Sequence, residues 1–233
     1  MKNTKNVKKK KNNLLIAAIL IVVFAIFGVG AYFYSDYQKN NTMSKEELNA
    51  LVRDYSPVSG NPNAKVTVVE FLNPSCAACI RFSPNVESLI EQHGDKIRVV
   101  YKVLPFSNDA DSIIPLLKAA NEQGKFKETL KLFFSQFNRW FIKQTTGYYQ
   151  VNHFAAWGIL QEAGIDAERA QNFLSENAAM IKEQIEQDAD DAKSLGVTGT
   201  PTFFVNGKRI VEKLSPDGNE LFRLVESEIK KVY

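Results

Sequence analysis

The sequence predicts an α/β sandwich interrupted by a block of helices, with a transmembrane helix ahead of it. Three observations carry this. Val66–Leu72 is a mostly β-branched run that leads into a helical pattern over Ala77–His93 and a second β-branched run over 97–104. Residues from Asp109 to about Leu195 then repeat apolar side chains at helical spacing. Last, Thr202–Val205 reads as a strand, Asn206-Gly207 as a two-residue hairpin turn, and Leu221, Leu224, Val225 and Ile229 as a closing helix. The order β-α-β, helices, β-β-α packs as layers around one core.

Six lysines (Lys2, Lys5, Lys8, Lys9, Lys10 and Lys11) precede an apolar run from Leu14 to Tyr34 that carries no charge. About twenty such residues span roughly 30 Å of hydrocarbon as a helix. Tyr32, Tyr34 and Tyr37 fall where an aromatic belt would lie, and the lysines place residues 1–13 in the cytoplasm and the chain after Asp36 outside it. Residues 14–35 therefore read as a signal anchor in the cytoplasmic membrane. A cleaved signal peptide is the other reading. Gly28 and Gly30 have the small-residue spacing of a cleavage site, but the run exceeds the usual ~7–15 residues. No cysteine stands directly after the run, which excludes a lipidated N-terminus. Six of the 29 basic residues lie before the run, leaving 23 against 26 acidic ones, so the exported part is slightly acidic and offers no nucleic-acid surface.

Residues 36–58 read as a tether and an amphipathic helix. Ser44 opens that helix, Glu47 completes a capping box, and Leu48, Leu51, Val52 and Tyr55 form its apolar face, placed on the domain itself or on a second subunit. Residues 56–63 are dense in turn formers and mark the boundary of a domain over 59–233, with its helical insertion at about 109–195. Asn73-Pro74-Ser75 turns the chain after the first strand; Pro84 interrupts the following helix and Gly94 ends it. Trp140, Phe141, Tyr148, Tyr149 and Trp157 are read either as core of the helical block or as an apolar substrate groove. His93 and His153 receive no role.

The chain's two cysteines are Cys76 and Cys79, separated by Ala77 and Ala78. A stabilising disulfide framework would spread pairs along the chain, and structural zinc would need two further ligands at ligand spacing. What remains is a dithiol that closes on itself at a strand-to-helix turn. A helix N-terminus exposes a sulfur and favours its anion. Cys76 at that N-terminus is thus the expected nucleophile, and Cys79, one turn further in, the resolving thiol.

The chain resembles the DsbA family, which has a thioredoxin fold with a helical insertion. The resemblance rests on Val69-Glu70-Phe71 before the dithiol, Pro84 after it, the run Gly199 to Gly207, the Gly60-Asn61-Pro62 lead and the long helical block. It covers roughly Ser56 to Tyr233. It implies that Pro201 is a cis-proline that lies against the dithiol and holds substrate as an extended strand. It implies that Thr200 offers backbone hydrogen bonds to substrate and tunes the redox poise. Glu70 matches a buried acid that assists proton transfer at the resolving thiol; a surface carboxylate is the other reading. Lys102 is read as a cation near the site or as a solvated strand lysine. No cofactor or metal is implied. The strongest oxidases of the family carry histidine before the second cysteine, where this chain has Ala78.

Three functions use such a site. The first is a membrane-tethered oxidase that passes its disulfide to reduced exported proteins and is re-oxidised by a quinone-linked membrane partner. The second is an isomerase or reductase that acts on misoxidised proteins and is kept reduced by a membrane electron donor. The third is a copper(I) chaperone using the two thiolates as soft ligands.

Overall fold

The computed structural model describes residues 24–25, 27–30, 32, 43–106, 109–210 and 217–233. The chain divides into two units, Met1–Ser44 and Lys45–Tyr233. In the first, residues 24–25, 27–30 and 32 are helical, with Phe24, Phe27, Val29 and Tyr32 exposed. Among the described residues no helix is long and apolar enough to cross a membrane. The basic segment 1–13, most of the expected anchor at 14–35 and tether residues 36–42 lie outside the described residues.

The second unit runs α1 (Lys45–Leu51), β1 (Val58–Gly60), β2 (Val66–Leu72), α2 (Ala77–His93) and β3 (Ile97–Val103). A 3-10 turn (Asp109–Ile113) then opens the helical block of α3 (Ile114–Glu122), α4 (Phe126–Ser135) and α5 (Phe137–Trp140). A hairpin of β4 (Phe141–Lys143) and β5 (Tyr149–Val151) follows, then α6 (His153–Glu162), α7 (Ala167–Glu176) and α8 (Ala178–Ser194). The chain returns with β6 (Thr202–Val205), β7 (Lys208–Arg209) and α9 (Asn219–Val232).

Five strands form one sheet in the order β1-β3-β2-β6-β7. β2 lies at its centre, parallel to β3 and antiparallel to β6. Every residue of β2 except Thr67 is buried, which is why it reads as an unbroken apolar run rather than an alternating one. Val66, Val68 and Leu72 share a core with Cys79, Phe82, Val86 and Leu89 of α2. By the two-residue period of a strand, Glu70 faces that side, while Val69 and Phe71 face away from it.

Two glycines are required by close approach. Gly60 adopts φ +82°, and a Cβ there would meet the Ile97 carbonyl oxygen at 2.5 Å. Gly94 ends α2 in an ordinary right-handed conformation, with its N–H donating to Ile90. Its lack of a side chain matters because a Cβ would lie 2.5 Å from the Ile90 oxygen.

The layered α/β expectation and the helical insertion hold, with differences in detail. Residues 58–60, read as turn, form edge strand β1, because Val58, Ser59 and Gly60 pair with β3. The insertion contains the β4–β5 hairpin as well as helices. Three-residue strands are too short to show alternation above the surrounding helical pattern. The aromatic stretch divides between the two readings. Trp140 and Phe141 are buried, and the Trp140 Nε1 donates to the Phe133 carbonyl at 2.7 Å, whereas Tyr148 is 79% exposed. α1 stops at Leu51, short of Val52 and Tyr55, since Arg53 and Tyr55 turn inward to reach α8.

Those contacts belong to a buried charge cluster on the sheet face away from α2. Lys102 lies opposite Phe71 in the β2–β3 register and is fully buried. Its Nζ sits 2.6 Å from Asp188 and 2.8 Å from Asp191, both on α8. Arg53 forks onto Asp191 through Nε at 2.9 Å and Nη2 at 2.5 Å, and the Tyr55 hydroxyl donates to Asp188 at 3.0 Å. Lys102 is therefore neither a cation beside the dithiol nor a solvated lysine. Burial makes its charge costly, and two carboxylates offset that cost. Lys118 is the outlying member, 3.4 Å from Asp188, and burial pushes its pKa down despite that carboxylate. Lys118→Met keeps the aliphatic stem and leaves Asp188 paired with Lys102. It is expected to cost no more than about 1 kcal/mol in urea unfolding; a loss above about 3 kcal/mol would contradict the pairing described.

Candidate active site

The end of β2 delivers the dithiol through a hydrogen-bonded turn. Asn73 is fully buried, and its Nδ2 donates to the Leu104 carbonyl at 2.6 Å. Its Oδ1 accepts from the Ser75 N–H at 2.7 Å and the Ser75 hydroxyl at 2.6 Å. The Cys76 N–H then donates to the Asn73 carbonyl at 3.1 Å. The sequence showed Asn-Pro-Ser as a turn, but the anchoring of that turn to Leu104 comes only from the fold.

This turn makes Cys76 the N-cap of α2, with φ −78° and ψ 112°. Its Sγ accepts from the Cys79 N–H at 3.3 Å. A cap sulfur there takes the place that a serine or aspartate oxygen usually fills, and the helix dipole favours its anion. Cys76 is half-buried; Cys79, one turn inward, is fully buried. Both are free thiols.

The second wall comes from the loop before β6. Antiparallel pairing sets Thr202 opposite Phe71, which carries the Thr200–Pro201 segment to the end of β2. The Thr202 hydroxyl donates to Gly199 at 2.7 Å and fixes the loop. The Thr200–Pro201 bond is cis. The Cys76 sulfur lies 3.3 Å from the Thr200 carbonyl oxygen, to which its thiol donates. The Thr200 hydroxyl is buried and, with no hydrogen-bond partner of good geometry among the described residues, can turn toward the Cys76 sulfur.

The electrostatics separate the two sulfurs. The Cys79 thiol, the Thr200 side chain and the N–H groups of Cys79 and Ala78 hold the Cys76 thiolate and bring its pKa down to about 5, against the opposing effect of burial. Burial pushes the Cys79 thiol up, helped by the Cys76 sulfur and the Glu70 charge. Burial likewise lifts the Glu70 carboxyl to about 8, with the Cys76 charge adding to it. The structure thus brings Cys76, Cys79, Thr200, Pro201 and Glu70 together and puts Lys102 elsewhere. Among the described residues no third His, Cys, Asp or Glu joins the thiols in a group able to hold a metal ion.

A family model described as thioredoxin matches residues 53–223. The thiol-disulfide exchange protein alpha-DsbA2 from Wolbachia pipientis superposes with a TM-score of 0.64 at 22% identity, covering 78% of this chain and 92% of that one. A periplasmic thioredoxin-like protein from Salmonella enterica serovar Typhimurium superposes with a TM-score of 0.61 at 19% identity, covering 81% and 99%. Among curated proteins, the Na(+)/H(+) antiporter NhaA of Herminiimonas arsenicoxydans is 28% identical over 154 residues, 66% of this chain. The chain spans only 22% of that antiporter's length. The fold is that of the DsbA-like structures, the family match runs from just before β1 into α9, and the chain belongs to the thioredoxin family.

Proposed function

We propose that this chain is a thiol-disulfide oxidoreductase acting outside the cytoplasm, tethered by its N-terminal apolar run, and that it introduces disulfides into exported proteins. The observation that carries this reading is Cys76 as the cap of α2, half-buried, with its thiolate favoured down to about pH 5. A stabilised thiolate stabilises the reduced form, and a dithiol that prefers to be reduced is an oxidant toward its substrates. Backbone N–H groups and Thr200 do here what Ala78 cannot. The export signal in the sequence and the periplasmic setting of a protein of similar fold support the location.

In this mechanism a substrate thiolate attacks Cys76 of the Cys76–Cys79 disulfide. The S–S electron pair goes to Cys79, which leaves as a thiolate and takes a proton from Glu70. A second substrate thiolate then attacks its own sulfur in the mixed disulfide, and Cys76 leaves as the stabilised thiolate. Substrate is oxidised by two electrons and the dithiol is reduced by two. The Thr200 backbone and Pro201 hold the substrate as an extended strand beside Cys76. A membrane redox partner restores the disulfide.

Equilibration with glutathione gives the reduction potential, expected between about −200 and −120 mV. A value near that of thioredoxin, about −270 mV, would sink the oxidase reading and leave a reductase or isomerase.

A further inference from the structure

Asn73 is a fully buried amide that the exchange chemistry itself does not use. Where its hydrogen bonds go follows from the sheet. The parallel β2–β3 ladder runs on past Val103, since the Leu104 N–H donates to the Leu72 carbonyl at 2.8 Å. The next rung would bring an N–H from residue 74 to the Leu104 carbonyl. Residue 74 is proline and has no N–H. The Asn73 Nδ2, 2.6 Å from that carbonyl, takes the place of the missing donor. Leu104 is buried, so its carbonyl needs a partner from the protein. The other end of the amide works on the turn. Its Oδ1 accepts from both the N–H and the hydroxyl of Ser75, and the Cys76 N–H closes on the Asn73 carbonyl. One end must donate and the other accept, which an amide does and an ionised carboxylate does not. A side chain clamped at both ends thus joins the sheet to the residue that caps α2.

The structure assigns Asn73 as the positioning residue of the dithiol: its carboxamide fixes the turn that holds the Cys76 sulfur at the head of α2, and so sets how strongly the site favours its reduced form. The assignment rests on the thiol-disulfide exchange given to Cys76 above. The two redox forms depend on the clamp unequally. In the reduced form the sulfur keeps its place through hydrogen bonds with the Cys79 N–H and the Thr200 carbonyl, each at 3.3 Å. Such bonds weaken steeply when their geometry is lost. In the disulfide form the covalent bond to Cys79 holds the same sulfur whether or not the turn is firm. Loosening the turn therefore costs the reduced form more than the disulfide form.

Asn73→Ala removes all three side-chain bonds. Asn73→Ser keeps an acceptor for the Ser75 N–H but is too short to reach Leu104. Both are checked for native circular dichroism, and either one that folds suffices. The reduction potential from glutathione equilibration and the pH midpoint of Cys76 alkylation are read beside the wild type. Asn73→Ala is expected to weaken the preference for the reduced form about tenfold, a potential about 30 mV more negative. The alkylation midpoint should rise by about one pH unit. Asn73→Ser should fall between Asn73→Ala and the wild type on both readings. A residue that only supports the fold would lower stability to urea equally in the two redox forms and leave potential and midpoint unmoved; that result overturns the assignment. A wild-type potential near that of thioredoxin, about −270 mV, sinks the oxidase reading instead, and the shift between wild type and variant still decides on Asn73.

Discussion

Cys79→Ser is expected to accumulate substrate proteins disulfide-linked to Cys76, and Cys76→Ser to bring catalysed disulfide formation down to background. The two outcomes differ because the sulfurs occupy different places. Cys76 caps α2 and is half-exposed, so a substrate sulfur reaches it; Cys79 is fully buried and does not meet solvent. With Cys79 replaced, a mixed disulfide formed when the Cys76 thiolate attacks a substrate disulfide can no longer be released by Cys79, and its lifetime lengthens. Non-reducing electrophoresis of alkylated cell extracts reads the adducts directly. Adducts on Cys79 in the Cys76→Ser variant would reverse the assignment. The rate of Cys76 alkylation carries the same information as a function of pH. A thiol with pKa near 9 is about 1% ionised at pH 7, whereas one near 5 is about 99% ionised, a gain of roughly a hundredfold in thiolate. The alkylation rate should therefore be level above about pH 6 and fall as pH drops through about 5. A midpoint near 8 would show that the cap and Thr200 do not hold the anion.

The same thiolate is linked to folding. The folded pKa lies below the unfolded one, so the reduced protein gains stability as pH rises from about 5 toward 9 and loses it as pH falls through about 5. The disulfide form has no such dependence at Cys76. This difference between the two redox forms is the physical content of calling the reduced site stabilised.

Much of this site was legible before any coordinates, for local reasons. A β-branched run, a turn with Asn and Pro, and two cysteines one helical turn apart place a dithiol at a helix N-terminus by short-range rules alone. The β6 strand announces itself through Phe203, Phe204 and the Asn-Gly turn, and the resemblance to the DsbA family pointed to Thr200 and Pro201. What was not legible depends on groups far apart in the chain. Lys102 looks like a solvent-facing interruption of β3 until α8 brings Asp188 and Asp191 within 3 Å, 86 and 89 positions later. Nothing in the neighbourhood of Asp188 or Asp191 marks them as buried, since α8 is polar along most of its length. β1 was hidden by its turn formers, and the β4–β5 hairpin by its brevity.

Glu70→Gln is expected to raise stability at alkaline pH while slowing the chemistry of Cys79. The carboxyl is fully buried and its pKa stands at about 8, against 4.5 for a free glutamate. The sign of the linkage is opposite to that at Cys76. Between about pH 4.5 and 8 the folded state holds the proton and the unfolded state does not, so stability falls across that interval and levels off above it. Removing the ionisation removes the fall. The disulfide form isolates this effect, because it carries no Cys76 thiolate to add its own dependence or to raise Glu70 further. Below pH 4.5 wild type and variant should be alike to within about 1 kcal/mol, the cost of re-partnering a buried amide. Above pH 8 the variant should lead by up to about 5 kcal/mol at ~1.36 kcal/mol per pH unit. Urea unfolding of the two proteins at pH 4 and pH 9 measures the difference. Equal gaps at both values would mean that Glu70 ionises as freely in the folded chain as outside it. Kinetics should move the other way. General acid catalysis supplies roughly 10²–10⁴-fold where it operates, so the step that protonates Cys79 should slow by about a hundredfold, while alkylation of Cys76 in the reduced protein should stay within about twofold. A residue kept at a cost in stability and needed for only one of two sulfurs is what a buried proton donor requires. A carboxyl that served only as core would instead leave both rates unchanged when replaced by its amide.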